Sequence, residues 1–290
     1  MLGILLVNKP LGISSHDVVN EIRRRFGTKR VGHAGTLDPL ATGVLVVAIG
    51  PATRFLQYLP LEPKRYLAHI TFGKETETYD REGAVVSEAP VPDDLSQRLE
   101  EVRPRFLGLI KQVPPMYSAV KVGGKRLYHY ARSGQEVIRD PRTVHISCFD
   151  IVSSEATSVR AVVECSGGTY IRTFAHDLGQ AIGCGAHLSG LVREGVGRFA
   201  LCDTVPMNEA SSSDLIPLST ALPPMPICQL SEEETKHVRE GRQIRISVEP
   251  NNNLVALADP NGSVFSVARL LGNVVQPECV IPEGAILEPI

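Results

Sequence analysis

The run Val44-Leu45-Val46-Val47-Ala48-Ile49 constrains this chain more than any other segment. A short, uninterrupted apolar stretch rich in β-branched side chains and bounded by Gly43 and Gly50 reads as a buried strand. A strand buried in this way needs partners, and the chain offers several. Residues 4–7 are apolar, residues 65–72 alternate, and residues 144–152 and 159–165 are β-branched runs. Helical patterns lie between them. Ser14 or Ser15 caps a helix to about Phe26, with Val18, Val19, Ile22 and Phe26 on one side. Residues 52–59 read as a short helix, residues 93–102 as an amphipathic one, and residues 170–182 as a helix after a glycine pair. The elements follow no regular βαβ rhythm, and several strands are sequential. The expected class is α+β with a mixed, mainly antiparallel sheet.

Serines and prolines cluster at 205–226 and mark a boundary. The expected domains are residues 1–225 and a small β-rich module at 226–290. In that module residues 231–240 read as a helix, and 254–258 and 264–268 as strands. No stretch approaches the ~18 apolar residues of a membrane helix. The apolar N-terminus lacks a basic lead and a small-residue cleavage site, and reads as a strand, not a signal peptide. Cys148, Cys165, Cys184, Cys202, Cys228 and Cys279 form no Cys-x-x-Cys pair, so zinc and thioredoxin readings lack support. Scattered thiols suit a reducing cytosol. Residues 1–150 carry 21 Lys/Arg and 16 Asp/Glu, while residues 151–290 carry 9 and 16. The front half can therefore hold a basic surface although the whole chain is at −2. Candidate phosphate contacts are Arg23, Arg24, Arg25, Lys29 and Arg30, then Lys64 with Arg65, then Lys121, Lys125, Arg126 and Arg132.

The stretch before the apolar run is Gly32-His33-Ala34-Gly35-Thr36-Leu37-Asp38-Pro39-Leu40-Ala41-Thr42-Gly43. By composition it is a loop. Taken alone, Asp38-Pro39 is a turn signal whose aspartate bonds local backbone. Three features point past that. The glycines permit close approach to a ligand. The buried strand anchors the segment. A carboxylate, an imidazole and a hydroxyl are brought together.

This segment resembles the catalytic motif of the TruB-type tRNA pseudouridine synthases, whose essential aspartate falls on Asp38. Further blocks agree in the family's order. They are Asn8-Lys9-Pro10-Leu11-Gly12, Lys64-Arg65-Tyr66, residues 73–83, residues 114–121, Gly168-Thr169-Tyr170-Ile171-Arg172-Thr173, residues 183–188 and Leu191-Val192-Arg193. Ala34 departs from an expected threonine-like residue, and Val192 from a second basic one. The resemblance covers about residues 3–225.

It implies that Asp38 is the nucleophile in exchanging the N1–C1′ bond of uridine for a C5–C1′ bond. Arg172 is implied as its counter-ion and Tyr66 as the aromatic on which the flipped uracil rests. The Tyr66 hydroxyl is also placed to assist proton transfer at C5. Tyr170 and Leu191 are implied as pocket walls, His33 as filling the gap left by the base, and Lys9 as supporting the active-site loop or the RNA backbone. The implied partner is the T arm of tRNA, recognised largely by shape. The resemblance also implies help with tRNA folding. The reaction is an internal rearrangement, so no metal, nucleotide or redox cofactor is expected, and no P-loop, Rossmann fingerprint or metal-spaced cluster is visible. No oligomerisation or protein-partner signal is read, and a monomer is expected. Residues 226–290 resemble small PUA-type RNA-binding modules, although they hold five Lys/Arg against nine Asp/Glu.

Overall fold

The computed structural model describes residues 1–118, 120–246 and 253–284. In chain order the elements that position the site are β1 (Gly3–Lys9), α1 (Ser15–Arg25), β2 (Val31–Ala34), β3 (Ala41–Ile49), β4 (Lys64–Phe72), α2 (Leu95–Val102), β5 (Gly108–Gln112), β6 (Arg142–Ser154), β7 (Ser158–Cys165), α3 (Ile171–Ile182), β8 (Ala186–Val196) and β9 (Val205–Pro206). The C-terminal segment contributes β10 (Ile227–Gln229), α4 (Glu232–Arg239), β11 (Ile244–Arg245), β12 (Leu254–Ala258), β13 (Val264–Leu271) and β14 (Val274–Val280). The chain divides into two compact units. One contains Met1–Asp38, Val44–Pro60 and Cys202–Ile290, and the other Pro39–Gly43 and Leu61–Leu201.

In the first unit β1 pairs in parallel with β9, and β2 lies antiparallel to β3 with His33 opposite Val47 and Ala34 opposite Val46. Helix α1 turns Val18, Val19 and Ile22 into a core with Leu5, Val7, Leu45, Val47 and Ile49. Burying side chains of this size is worth about 1.5–3 kcal/mol each. Ser14 caps α1 in a reciprocal capping box with Asp17, and three arginines lie in its last turn, where the helix dipole favours cations. The C-terminal sheet, in the order β10-β12-β13-β14-β11, carries α4, capped by Ser231 and Glu234. Arg54 donates to the Val280 carbonyl at 2.9 Å, tying this sheet to the 3-10 helix Gly50–Tyr58.

The second unit is built on antiparallel strands in the order β8-β4-β7-β6-β5. The opening residues of β3 pair in parallel with β8, Leu191 opposite Ala41 and Arg193 opposite Gly43. Helix α3 buries Ile171, Phe174, Ala175, Leu178 and Ile182. Its Phe174 meets Phe106 and Phe149 edge-on at centroid distances of 5.4 and 4.9 Å, a favoured aromatic geometry.

The α+β class and the mixed, mainly antiparallel pairing stand as expected. Residues 32–43 are not one loop. Their ends join strands because the ladder with Val46 and Val47 captures His33 and Ala34, leaving only residues 35–40 irregular. The expected helix at 52–59 is a 3-10 helix that begins earlier, with Pro51 in its first turn. The long strand β8 has no counterpart among the sequence expectations.

Candidate active site

The glycine-punctuated segment is fixed on either side of Asp38. The Ser15 hydroxyl accepts the Leu37 amide at 2.8 Å and donates to the Leu37 carbonyl at 3.0 Å. The two serines therefore divide the work, Ser14 capping the helix and Ser15 clamping the residue before Asp38. Leu37 and Leu40 are buried, whereas Asp38 is only half-buried. These apolar neighbours anchor the backbone on either side of Asp38. Lys9 is fully buried, and its Nζ donates to the carbonyls of Pro10 at 2.9 Å and Ile13 at 2.6 Å. It braces the turn that delivers α1. His33 sits half-buried in β2.

In the second unit Gly43 adopts φ +103° against the backbone of Arg193. A Cβ there would come within 2.9 Å of the Arg193 carbonyl carbon and amide nitrogen, and closer still to its oxygen. Only glycine fits this approach. Tyr66 stands on the buried face of β4, 6% exposed, with Val163 opposite on one side and Arg193 on the other. The Arg193 guanidinium, 1% exposed, is hydrogen-bonded to Tyr66. Burial pushes the Arg193 pKa down, and the Tyr66 phenol opposes that shift. Leu191 is buried beside Ala41.

Arg172 emerges from the first turn of α3 and is buried. Its Nη1 lies 3.4 Å from Asp80 Oδ2 and donates to the Thr78 carbonyl at 3.2 Å, while Nη2 donates to the Tyr117 carbonyl at 2.9 Å. Asp80 is also buried, accepting from Thr78 Oγ1 at 2.6 Å and from the Glu82 amide at 3.0 Å. Tyr79 between them holds φ +63° and stacks on His176 at 4.0 Å. A non-glycine residue at positive φ costs about 1–3 kcal/mol, so its neighbours must hold the turn in place. Gln112 locks Tyr170 by accepting its amide at 3.0 Å and donating to its carbonyl at 3.3 Å.

Among the expected site residues, the first unit thus carries Lys9, His33 and Asp38, and the second carries Tyr66, Tyr170, Arg172 and Leu191. The resemblance assigned no role to two further buried charges, Asp80 and Arg193. Both lie inside its blocks, and no periodic pattern in the chain singles them out.

The basic clusters divide into engaged and exposed groups. Arg24 pairs with Glu21 at 2.6 Å, Arg25 donates to the Asn208 and Ala210 carbonyls, and Arg65 pairs with Glu194 at 3.2 Å. Burial lowers the Lys64 pKa, with Arg193 adding to the effect. Lys121, Lys125 and Arg126 are exposed on a two-stranded hairpin. Among the described residues no cluster of metal-ligand spacing occurs, and no helix is long and apolar enough to cross a membrane.

A mixed sheet carrying α3, with a separate β-rich C-terminal sheet, is the pseudouridine synthase architecture. The solved structure of a Cbf5-Nop10-Gar1 complex contains a chain of this fold with a TM-score of 0.70 at 25% identity, covering 97% of this chain and 85% of that one. A chain in the archaeal box H/ACA sRNP Nop10-Cbf5 complex shares the fold at a TM-score of 0.68 and 23% identity, covering 98% and 87%.

The chain belongs to the TruB family of pseudouridylate synthases. The family's N-terminal domain matches residues 23–171, and the tRNA pseudouridylate synthase B C-terminal domain matches residues 172–215. A protein of Dehalococcoides mccartyi named tRNA pseudouridine synthase B is 41% identical, covering 96% of this chain and 93% of its own. One of Pseudomonas fluorescens with the same name is 39% identical, covering 92% and 91%. The chain is accordingly an isomerase that makes pseudouridine.

Proposed function

We propose that this enzyme converts the T-loop uridine of tRNA, conventionally position 55, into pseudouridine, with Asp38 as the nucleophile. The observation that carries the reading is the anchoring of the catalytic segment. Ser15 grips the residue before Asp38, and Gly43 is paired to Arg193 five residues beyond it. A carboxylate held in this way loses little freedom on meeting its target. It attacks the sugar C1′ or the pyrimidine C6, or removes a sugar proton; in each case the base leaves N1, turns and rejoins through C5.

The base must first be extruded from the RNA. Tyr66 supplies an aromatic face for it, Tyr170 and Leu191 wall the pocket, and His33 takes the vacated place in the RNA. Arg172 serves as the positive partner of Asp38, and Asp80 keeps its guanidinium oriented. Lys9 supports the loop from within. The exposed hairpin with Lys121, Lys125 and Arg126 is suited to phosphate contact, which makes binding salt-dependent.

The relatives named tRNA pseudouridine synthase B favour a stand-alone tRNA enzyme over a guide-dependent one. The reading carries with it a cytoplasmic monomer that also assists tRNA folding. It also divides the chain into a catalytic domain at 1–225 and a PUA-like module at 226–290.

The test is to incubate unmodified tRNA transcript with wild-type enzyme and with Asp38→Asn, and to map pseudouridine chemically. The wild type should modify the T-loop uridine. Asp38→Asn should bind tRNA and form no product. Full activity in the variant refutes the nucleophile, and modification elsewhere refutes the target.

A further inference from the structure

The mechanism above leaves one of the most deeply buried charges in the molecule without a task. Arg193 is 1% exposed, and an arginine is seldom withdrawn from water to this degree without a specific partner. Its place in the sheet is defined on both sides. Its backbone faces Gly43, the last residue of the Asp38 segment, and on the other side its register partner is Tyr66. Its side chain is hydrogen-bonded to the Tyr66 phenol. A guanidinium has no acceptor, so it donates and the phenol oxygen accepts. The phenol's own proton is thereby directed away from Arg193, and its ionised form is favoured by a charge that cannot be titrated away.

We propose that Arg193 is the positioning residue for Tyr66, aiming its oxygen at the base and sustaining its ionised form during proton removal from C5. The proposal rests on the reading of Tyr66 as the tyrosine that meets the flipped uracil. Once C5 is bonded to C1′, it still carries its hydrogen. The Tyr66 phenolate takes that hydrogen as a proton, and the C5–H electron pair forms the C5=C6 double bond. The former C6=N1 pair moves to N1, which takes a proton from solvent. The phenol returns its proton to solvent before the next turnover. One residue thus connects both halves of the chemistry, since its backbone holds the end of the Asp38 segment and its side chain holds Tyr66.

The strands packed together here carry other charged and titratable groups: Lys64, Arg65 and His69 on β4, Arg160 and Glu164 on β7, and His187 and Glu194 on β8, with Arg65 paired to Glu194 at 3.2 Å. Lys64 lies two residues before Tyr66 and feels Arg193, Cys165 and Glu62. Burial pushes Cys165 up to about 11, with Glu164 acting on it from the same strand. Helix α3 contributes Arg172, His176 and Asp177. None of these substitutes for a guanidinium bonded to the phenol itself.

The test combines single-turnover rates between pH 6.5 and 10 with an ultraviolet titration, in which the Tyr66 phenol is the difference between wild type and Tyr66→Phe. Arg193→Gln should slow product formation at pH 7 by about ten- to a hundredfold. The loss should shrink as pH rises, tRNA affinity should hold, and the phenol titration should move to higher pH. In the Tyr66→Phe background the same substitution should add less than about threefold, because the two act as one unit. Arg193→Lys keeps the charge but not the fork, and should restore the titration more fully than the rate. If Arg193→Gln does not fold, Arg193→Lys carries the test, and a wild-type rate and titration in that variant refute a role for the fork. An unmoved titration with additive losses overturns the proposal. Wild-type activity in Tyr66→Phe would instead sink the reading of Tyr66, while the titration would still judge the Arg193 contact.

Discussion

Gly43→Ala separates two effects that are usually mixed. Gly43 holds φ +103°, where an L residue costs about 1–2 kcal/mol. The added Cβ would also stand within 2.9 Å of the Arg193 carbonyl carbon and amide nitrogen. These are backbone atoms of a paired strand, so no side chain can swing aside. Forcing an extra carbon into such a site costs about 1–3 kcal/mol more. The total is about 2–5 kcal/mol, or a melting temperature lower by roughly 5–15 °C.

Gly12→Ala is the control. Gly12 has φ +85° and nothing within 4 Å of its added Cβ, so it carries the backbone cost without the clash. Thermal unfolding by circular dichroism should place Gly43→Ala well below Gly12→Ala. Relief of the clash must move β3 from β8 and so displace the segment carrying Asp38; a shift of about 1 Å there should cost on the order of a hundredfold in pseudouridine formation. Equal stability losses in the two variants, or a stable and fully active Gly43→Ala, would refute the claim that Gly43 is held against Arg193.

Two further outcomes are expected. Asp80→Asn removes the buried ion pair that Asp80 makes with the Arg172 guanidinium at 3.4 Å, and should destabilise the protein by about 3–5 kcal/mol and lower the rate; thermal unfolding and single-turnover assays check both. Burial raises the Asp177 carboxyl to about 6 from 3.8, so the fold favours its protonated form, and that contribution is present below pH 4 and lost as pH rises through 6. Asp177→Asn should therefore stabilise the protein above pH 6 by about 1 kcal/mol, discounted for partial contact with water, and leave it unchanged near pH 4 in a pH series of unfolding curves.

The elements legible in the sequence are those whose cause is local. Helix α1 declares itself through a serine cap and four apolar residues on one side, and β3 through its unbroken apolar run. Strand β8 has no such signature. Gly190 and Gly195 interrupt it, Ser189 and Glu194 break its alternation, and its burial comes from pairing with β4 and β3, residues far away in the chain. The same distance hid the fate of the charges. Arg25 reads as a phosphate contact, yet it donates to the carbonyl of Ala210, 185 residues along the chain. Asp80 meets Arg172 across more than ninety residues, a pairing that no local pattern encodes.

Several residues in and beside the ordered blocks break a local rule. Lys9, Asp80, Arg172 and Arg193 are charges withdrawn from water, and Gly43 and Tyr79 hold backbone angles that most residues avoid. Pattern reasoning expects charges outside and backbones relaxed, so it misreads these positions. Departures of this kind persist only where the surrounding structure compensates for them. All six lie within the blocks shared with the pseudouridine synthases, or at the end of the Asp38 segment itself. The places where local inference fails therefore coincide with the blocks that the resemblance picks out. Asp38, which reads as an ordinary turn residue by its neighbours, takes its meaning from the buried scaffold that fixes the chain before and after it.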